Sequence, residues 1–260
     1  MDPLVSLQVA VRDHIDHQQA RPFAVLDFDN TCIVNDVAEA TLAYICRNQL
    51  LRRDDLLPSG TRYCGPAYHQ QVFRRYYELL RQGNIQSASL LCAKAFAGFK
   101  RNEAEDVVTA AIDAEGSVPV VSELYGVPIA GGLAVRPVLR RLIDFFEAND
   151  VKVWIVSASP EIAVRTAMKC FGLPGKLIAL RNKLDDAVIS MDLDEPYSIR
   201  EGKVDCIRMF IDAENRPLFG IGDSMHDLPM IEYADIHAVV DCDNALTMEA
   251  TRRGWFIFRS

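Results

Sequence analysis

The sequence predicts an α/β fold: a doubly wound parallel sheet, interrupted after its first strand by an all-helical cap. Three observations carry this reading. Short apolar runs recur at residues 23–28 (FAVLDF), 151–156 (VKVWIV) and 218–221 (LFGI), as expected of strands covered on both faces. Helical spacing alternates with such runs through the second half of the chain. Between the first run and the second, about a hundred residues show helical periodicity with no comparable run.

The elements follow in order. Residues 23–28 enter after Pro22 as a buried strand and stop at the acidic turn 27–31. Residues 36–51 carry Val37, Ala40, Leu42, Tyr44 and Ile45 at helical spacing, with Asn35 or Asp36 placed to cap the helix. Further helices are predicted over 66–81, 87–99 and 103–115, punctuated by Gly83, Gly98 and Gly116. Residues 117–132 read as a looser piece. A helix over 136–148 leads into the strand at 151–156. Residues 157–160 end that strand and start a helix running to about residue 171. Residues 177–180 and 187–193 read as short strands able to form a hairpin. A helix over 202–211 precedes the strand at 218–221 and the turn 222–226. A helix at 227–233, a strand at 236–240, a helix at 245–253 and a short strand at 255–258 complete the chain. The organisation expected is core over 1–34, cap over 35–131 and core again over 132–260.

Composition excludes several classes. A chain of 260 residues, half of them hydrophobic, builds a core without disulfides or structural metal. A net charge of -8 gives no sign of a nucleic-acid partner. The seven cysteines are odd in number and form no C-x-x-C pair, which argues against a disulfide framework or a zinc site and fits a reducing compartment. Residues 1–20 lack the basic start and apolar run of a signal peptide, and no apolar stretch reaches the ~20 residues that span a bilayer. The expected location is the cytoplasm, with no membrane partner.

Ligands of open α/β sheets bind beyond the carboxyl ends of the strands. Asp27 and Asp29 follow the first apolar run, Ser157 and Ser159 the second, Asp223 and Asp227 the third. Clustered carboxylates oppose one another's ionisation, and a hard cation relieves this. Oxygen ligands without histidine or cysteine favour Mg²⁺. Phosphoryl transfer needs a nucleophile, neutralisation of the phosphate oxygens and a proton for the leaving group. Asp27, a strand-tip carboxylate expected to be solvent-exposed, suits the nucleophile. Asp29 suits the acid and base. Ser157 and the amides that follow it, beginning at Ala158, suit the phosphate oxygens. Lys203, at the start of the helix leading back to the third strand, is preferred over Lys176 and Lys183 for the positive wall.

Asp27-Phe-Asp-Asn-Thr31 resembles the DxDxT motif of the haloacid dehalogenase (HAD) superfamily. Val156-Ser-Ala-Ser159, Lys203 and Gly222-Asp-Ser-Met-His-Asp227 resemble its second, third and fourth motifs, in the same order. The insert is similar to the cap of the phosphoserine phosphatase-like branch, and the Asn35-Asp36 start resembles phosphocholine and phosphoethanolamine phosphatases about as much. The resemblance implies a phosphatase with Asp27 as nucleophile and Asp29 as acid and base. It implies Mg²⁺ on Asp27, the Asp29 backbone carbonyl, Asp223 and Asp227, and substrate phosphate near Thr31 and Ser157. Asn30 stands where many members have glycine, and asparagine tolerates left-handed backbone.

Alternatives stand beside several of these residues. Ser159 alone reads best as a helix cap before Pro160, Cys32 as packing, and His226 as a spacer. Asp36 and Glu39 read equally as a capping-box-like pair or as partners for a substrate ammonium group. The aromatics Tyr63, Tyr68, Phe73, Tyr76 and Tyr77 read better as helix core than as a cage for a quaternary amine. The expected substrate is a small phosphorylated metabolite, and Asp36 and Glu39 allow an amine-bearing one. A phosphotransferase or phosphomutase of the same fold, and a non-catalytic ligand-binding module, are the rival functions.

Overall fold

The computed structural model describes residues 3–15, 21–58 and 65–259. Its elements are α1 (Pro3–Ile15), β1 (Phe23–Leu26), β2 (Ile33–Val34), α2 (Val37–Arg47), α3 (Pro66–Arg81), α4 (Ile85–Lys94), α5 (Arg101–Glu115), β3 (Val120–Leu124) and β4 (Val127–Gly131). There follow β5 (Ala134–Val135), α6 (Pro137–Ala148), β6 (Lys152–Pro160), α7 (Glu161–Cys170), β7 (Lys176–Leu180), β8 (Asn182–Asp185) and β9 (Val188–Leu193). The chain closes with α8 (Glu201–Phe210), β10 (Phe219–Gly222), α9 (Leu228–Tyr233), β11 (Ile236–Val240), α10 (Ala245–Arg253) and β12 (Phe256–Phe258).

The central sheet has six strands in the order β12-β11-β10-β1-β6-β7, all parallel. The apolar runs at 23–28, 151–156 and 218–221 supply β1, β6 and β10, three of its four interior strands, where both faces are covered. Strand β1 shows the consequence: Phe23, Ala24, Val25 and Leu26 are all buried. Chain direction along the sheet order reverses at β1, so the crevice above β10, β1 and β6 is where such sheets bind ligands.

Two apolar clusters lie outside one another. The larger gathers β1, β6, β10, β11, α6 and α7, and includes Ala104, Val108 and Ile112 of α5. The second joins α2, α3 and α4 with Leu124, Val127 and Ile129, and takes in Tyr68, Phe73 and Tyr76. Most of the aromatic stripe is thus helix core, while Tyr63 lies outside the described residues.

Four departures from the sequence reading have physical reasons. Residues 3–15 form α1, which buries Leu4, Leu7 and Val11 at one-turn and two-turn spacing. The looser piece contains an antiparallel hairpin, β3 with β4, so the insert adds a small sheet to its helices. Residues 177–180 join the central sheet beside β6, and the hairpin partner of β9 is β8. Strand β6 continues past residue 156 to Pro160 with a shift of register against β7. Such an irregularity turns side chains away from strict alternation, and here it falls on Ser157, Ala158 and Ser159.

Candidate active site

The sharp turn after β1 begins the site. The Asp27 N–H donates to the Ile221 carbonyl at 3.0 Å, so the strand ladder itself fixes the residue. Asn30 then takes φ +55°, ψ −8°, a left-handed conformation that asparagine accepts more readily than most residues. Asn35 ties this turn to the far end of the insert, its Nδ2 donating to the carbonyls of Gly131 at 2.8 Å and Gly132 at 2.9 Å.

Side chains far apart in sequence meet above these strands. Lys203 is 1% exposed, and its Nζ donates to Asp27 Oδ1 and to Asp227 Oδ1, each at 2.6 Å. The other Asp227 oxygen accepts from the Asp223 and Ser224 amides and from the Ser224 hydroxyl. Gly222 permits this, because a Cβ there would overlap the Asp227 side chain. Carboxylate oxygens of Asp27, Asp223 and Asp227 lie within 4.8 Å of one another.

The electrostatics follow from burial. Desolvation, then Asp227, push the Asp27 carboxyl from 3.8 to about 7, with Lys203 pulling the other way. Burial, then Asp227 and Asp27, hold Asp223 well above the usual carboxylate range. Burial alone would drive Lys203 toward neutrality, but Asp227 and Asp27 outweigh it and hold the ammonium charged. One lysine faces three carboxylates, an arrangement short of positive charge. A hard divalent cation on an all-oxygen donor set would supply it.

Asp29 is held apart from that triad. Its Oδ1 accepts from the Val37 N–H at 2.7 Å and its Oδ2 from the Ser159 hydroxyl at 2.6 Å. Ser157 is 1% exposed; its Oγ accepts from the Ser159 N–H at 3.1 Å, and its carbonyl accepts from the Ser198 hydroxyl at 2.6 Å. The cavity over these groups measures about 320 Å³ and is lined by Asp27, Asp29, Ser157, Ala158, Lys203 and Asp223 on the sheet side. The insert contributes Asp36, Glu39, Tyr76, Leu80, Ile85 and Cys92. A space of this size suits a small metabolite.

Several readings are corrected. Asp27 is only 7% exposed rather than open to solvent, and it shares its cavity with Asp36, Glu39 and Tyr76 of the insert. Thr31, expected at the substrate, is fully buried, and its hydroxyl donates to Asp223 Oδ1 at 3.0 Å. Ser159 is not a helix cap: β6 runs through it, and its hydroxyl is turned to Asp29. Asp36 does cap α2, accepting from the Glu39 N–H at 2.9 Å, yet both side chains line the cavity. Cys32 is packed, in keeping with its sequence reading, its thiol donating to the Asp27 carbonyl. His226 lines the cavity and accepts from Arg200 Nε at 3.2 Å.

Sequence reasoning missed Ser198, Arg200 and Asn244. Asn244 caps α10 while its Nδ2 donates to the Asp223 carbonyl at 2.7 Å. A polar residue before a helix signals the cap, but nothing in the sequence signals the second bond.

A doubly wound sheet that carries the acidic triad of Asp27, Asp223 and Asp227 and the buried Lys203 at one rim has the layout of the haloacid dehalogenase class of hydrolases. The family model for haloacid dehalogenase-like hydrolases matches residues 24–232, and the chain belongs to that family. A probable phosphatase of Mycobacterium tuberculosis (strain H37Rv) is 34% identical over 106 residues, covering 40% of this chain and 36% of the relative. The match thus spans about a third of that protein's length. A solved structure from Bordetella pertussis Tohama I, of unknown function, superposes with a TM-score of 0.70 at 17% identity, covering 92% of this chain and 99% of that one. A phosphoserine phosphatase captured as a phospho-aspartyl intermediate analogue gives a TM-score of 0.56 at 14% identity, covering 92% and 93%. These two likenesses concern the fold.

Proposed function

We propose that the chain hydrolyses a small phosphate monoester through a phospho-aspartate on Asp27, with Mg²⁺ held by Asp27, the Asp29 carbonyl, Asp223 and Asp227. The observation that carries this is Lys203 bridging Asp27 and Asp227 beside Asp223, a buried set that concentrates both signs of charge at a strand tip. The bound cation would neutralise phosphate oxygens and lower the repulsion among the carboxylates. Lys203 and the Ser157–Ala158 segment bind the remaining phosphate oxygens. Asp27 attacks phosphorus as the ester P–O bond breaks, and Asp29 gives its proton to the leaving oxygen. Asp29 then takes a proton from the water that attacks the acyl phosphate, returning Asp27 and releasing phosphate. The relative named a probable phosphatase and the phosphoserine phosphatase likeness support the reading. Free, buried Cys32, Cys46, Cys92 and Cys206 support a reducing, cytoplasmic setting. Among the described residues, no helix is long and apolar enough to cross a membrane.

A phosphate-release screen over phosphocholine, phosphoethanolamine, phosphoserine and neutral alkyl phosphates tests the reaction. EDTA is expected to stop release and added Mg²⁺ to restore it. Unchanged rates in EDTA would remove the metal from the mechanism, and release that requires an acceptor alcohol would make the protein a phosphotransferase.

For the leaving group we propose an amine-bearing alcohol, facing Asp36 and Glu39 across the cavity. Burial, then Asp36, push the Glu39 carboxyl from 4.5 to about 7. An ammonium group beside it would restore the ionised form. Glu39→Gln is expected to raise KM for phosphocholine or phosphoethanolamine about tenfold, with neutral alkyl phosphates unchanged. The same shift has a stability consequence. Between pH 4.5 and 7 the folded chain keeps the Glu39 proton that the unfolded chain releases, so this contribution is complete below 4.5 and lost as pH rises through 7. Glu39→Gln is therefore expected to melt higher than wild type at pH 8 and equally at pH 4.5, with a gap of at most about 3 kcal/mol. A lower melting temperature at pH 8 would contradict it.

A further inference from the structure

We propose that Ser159 is the positioning residue that makes Asp29 competent to both give and take a proton; this rests on the phosphatase reading. The two partners of Asp29 differ in what they can do. Val37 opens α2, and its N–H is one of the helix-end donors without an intrahelical partner. An amide N–H only donates, so Asp29 Oδ1, 2.7 Å away, is committed as an acceptor. The partner of Oδ2 is the Ser159 hydroxyl at 2.6 Å, and a hydroxyl both donates and accepts. Oδ2 is therefore the oxygen that can carry a proton without losing its partner. When Asp29 is ionised, Ser159 donates to Oδ2 and fixes the carboxylate plane, so that the second lone pair of Oδ2 takes up or releases the proton in a set direction.

Ser159 is itself well placed for this. It is 8% exposed, lies at the irregularity of β6, and its N–H donates to Ser157 Oγ at 3.1 Å. A strict β alternation would orient residues 157 and 159 alike; the register shift before Pro160 lets one hydroxyl serve Asp29 while the Ser157 oxygen faces the Ser159 amide. Substitution by alanine removes the partner of Oδ2 and frees the carboxyl to rotate about its single bonds, leaving the phosphate-binding groups in place.

The test compares two esters in rapid-quench single turnover. The nitrophenolate of p-nitrophenyl phosphate departs without a proton, whereas the alkoxide of phosphoethanolamine needs one. Ser159→Ala is expected to slow phosphoenzyme formation from phosphoethanolamine by about 30-fold or more, to leave formation from p-nitrophenyl phosphate within about threefold, and to keep KM within about twofold. Steady-state turnover of p-nitrophenyl phosphate then shows a burst, because the water step also needs Asp29. Ser159→Thr, which retains the hydroxyl, is expected to keep the wild-type ratio between the two esters. Equal losses on both esters, or no loss on either, would overturn the proposal alone. A wild-type protein that releases phosphate from neither ester would overturn the phosphatase reading, and the role of Ser159 with it.

Discussion

Asp27→Asn is expected to abolish turnover, lowering kcat on the order of 10⁴-fold or more, while the protein stays folded. The amide keeps the shape of the carboxylate and retains an oxygen able to accept from Lys203, which holds Asp27 Oδ1 at 2.6 Å. It lacks the negative charge that attacks phosphorus. Stability should not suffer, for a reason specific to this site. Desolvation and the charge on Asp227 oppose ionisation of Asp27, pushing it up to about 7. A neutral side chain of the same volume relieves both, and Lys203 keeps Asp227 as an ionic partner. The melting temperature at pH 8 without metal is therefore expected to equal or exceed that of wild type. Thermal melts and phosphate release on the same preparation check both halves; wild-type release by Asp27→Asn protein would refute covalent catalysis at this residue.

The sequence-level reasoning worked where one physical cause acts alone. Uninterrupted apolar runs mark buried parallel strands, and strand ends mark ligand sites, so Asp27, Asp223 and Lys203 could be brought together from positions nearly 200 residues apart. Asn30 is a similar case, because its backbone freedom is intrinsic to asparagine and its φ of +55° uses it. It failed where long-range packing decides. Ser159 reads as a cap because serine before proline and glutamate often is one; only pairing of β6 with β7 through Pro160 turns it to Asp29. Thr31 belongs to the motif, but whether its hydroxyl meets substrate or Asp223 depends on how closely β10 approaches β1. The exposure expected of Asp27 ignored the insert, which no property of a strand tip reveals. The stripe of helix α1 is present in the sequence, since Leu4, Leu7 and Val11 recur at helical spacing and are buried.

Lys203→Met is expected to be the most damaging single substitution for stability. Removing one member of a buried ionic group leaves the others uncompensated, typically a loss of about 3–5 kcal/mol. For a chain of this size that lowers the melting temperature by roughly 10 °C. Methionine fills most of the volume, so the loss is electrostatic rather than a cavity effect. Two further observations distinguish this account from simple misfolding. First, the deficit depends on pH in a defined direction. Without Lys203, Asp27 and Asp227 lose the ammonium they share, and Asp27, already raised to about 7, rises further. A carboxyl whose folded pKa lies above its unfolded value favours the folded state at low pH and loses that advantage as pH rises through the folded value. The gap between Lys203→Met and wild type should thus be small at pH 5 and large at pH 8. Second, a divalent cation binding among Asp27, Asp223 and Asp227 replaces part of the missing positive charge, so Mg²⁺ should raise the melting temperature of the variant more than that of wild type. Catalysis should stay lost even when Mg²⁺ restores folding, because the ammonium that binds a phosphate oxygen is gone. A pH-independent deficit, or equal stabilisation of both proteins by Mg²⁺, would show that Lys203 does not act by compensating these carboxylates.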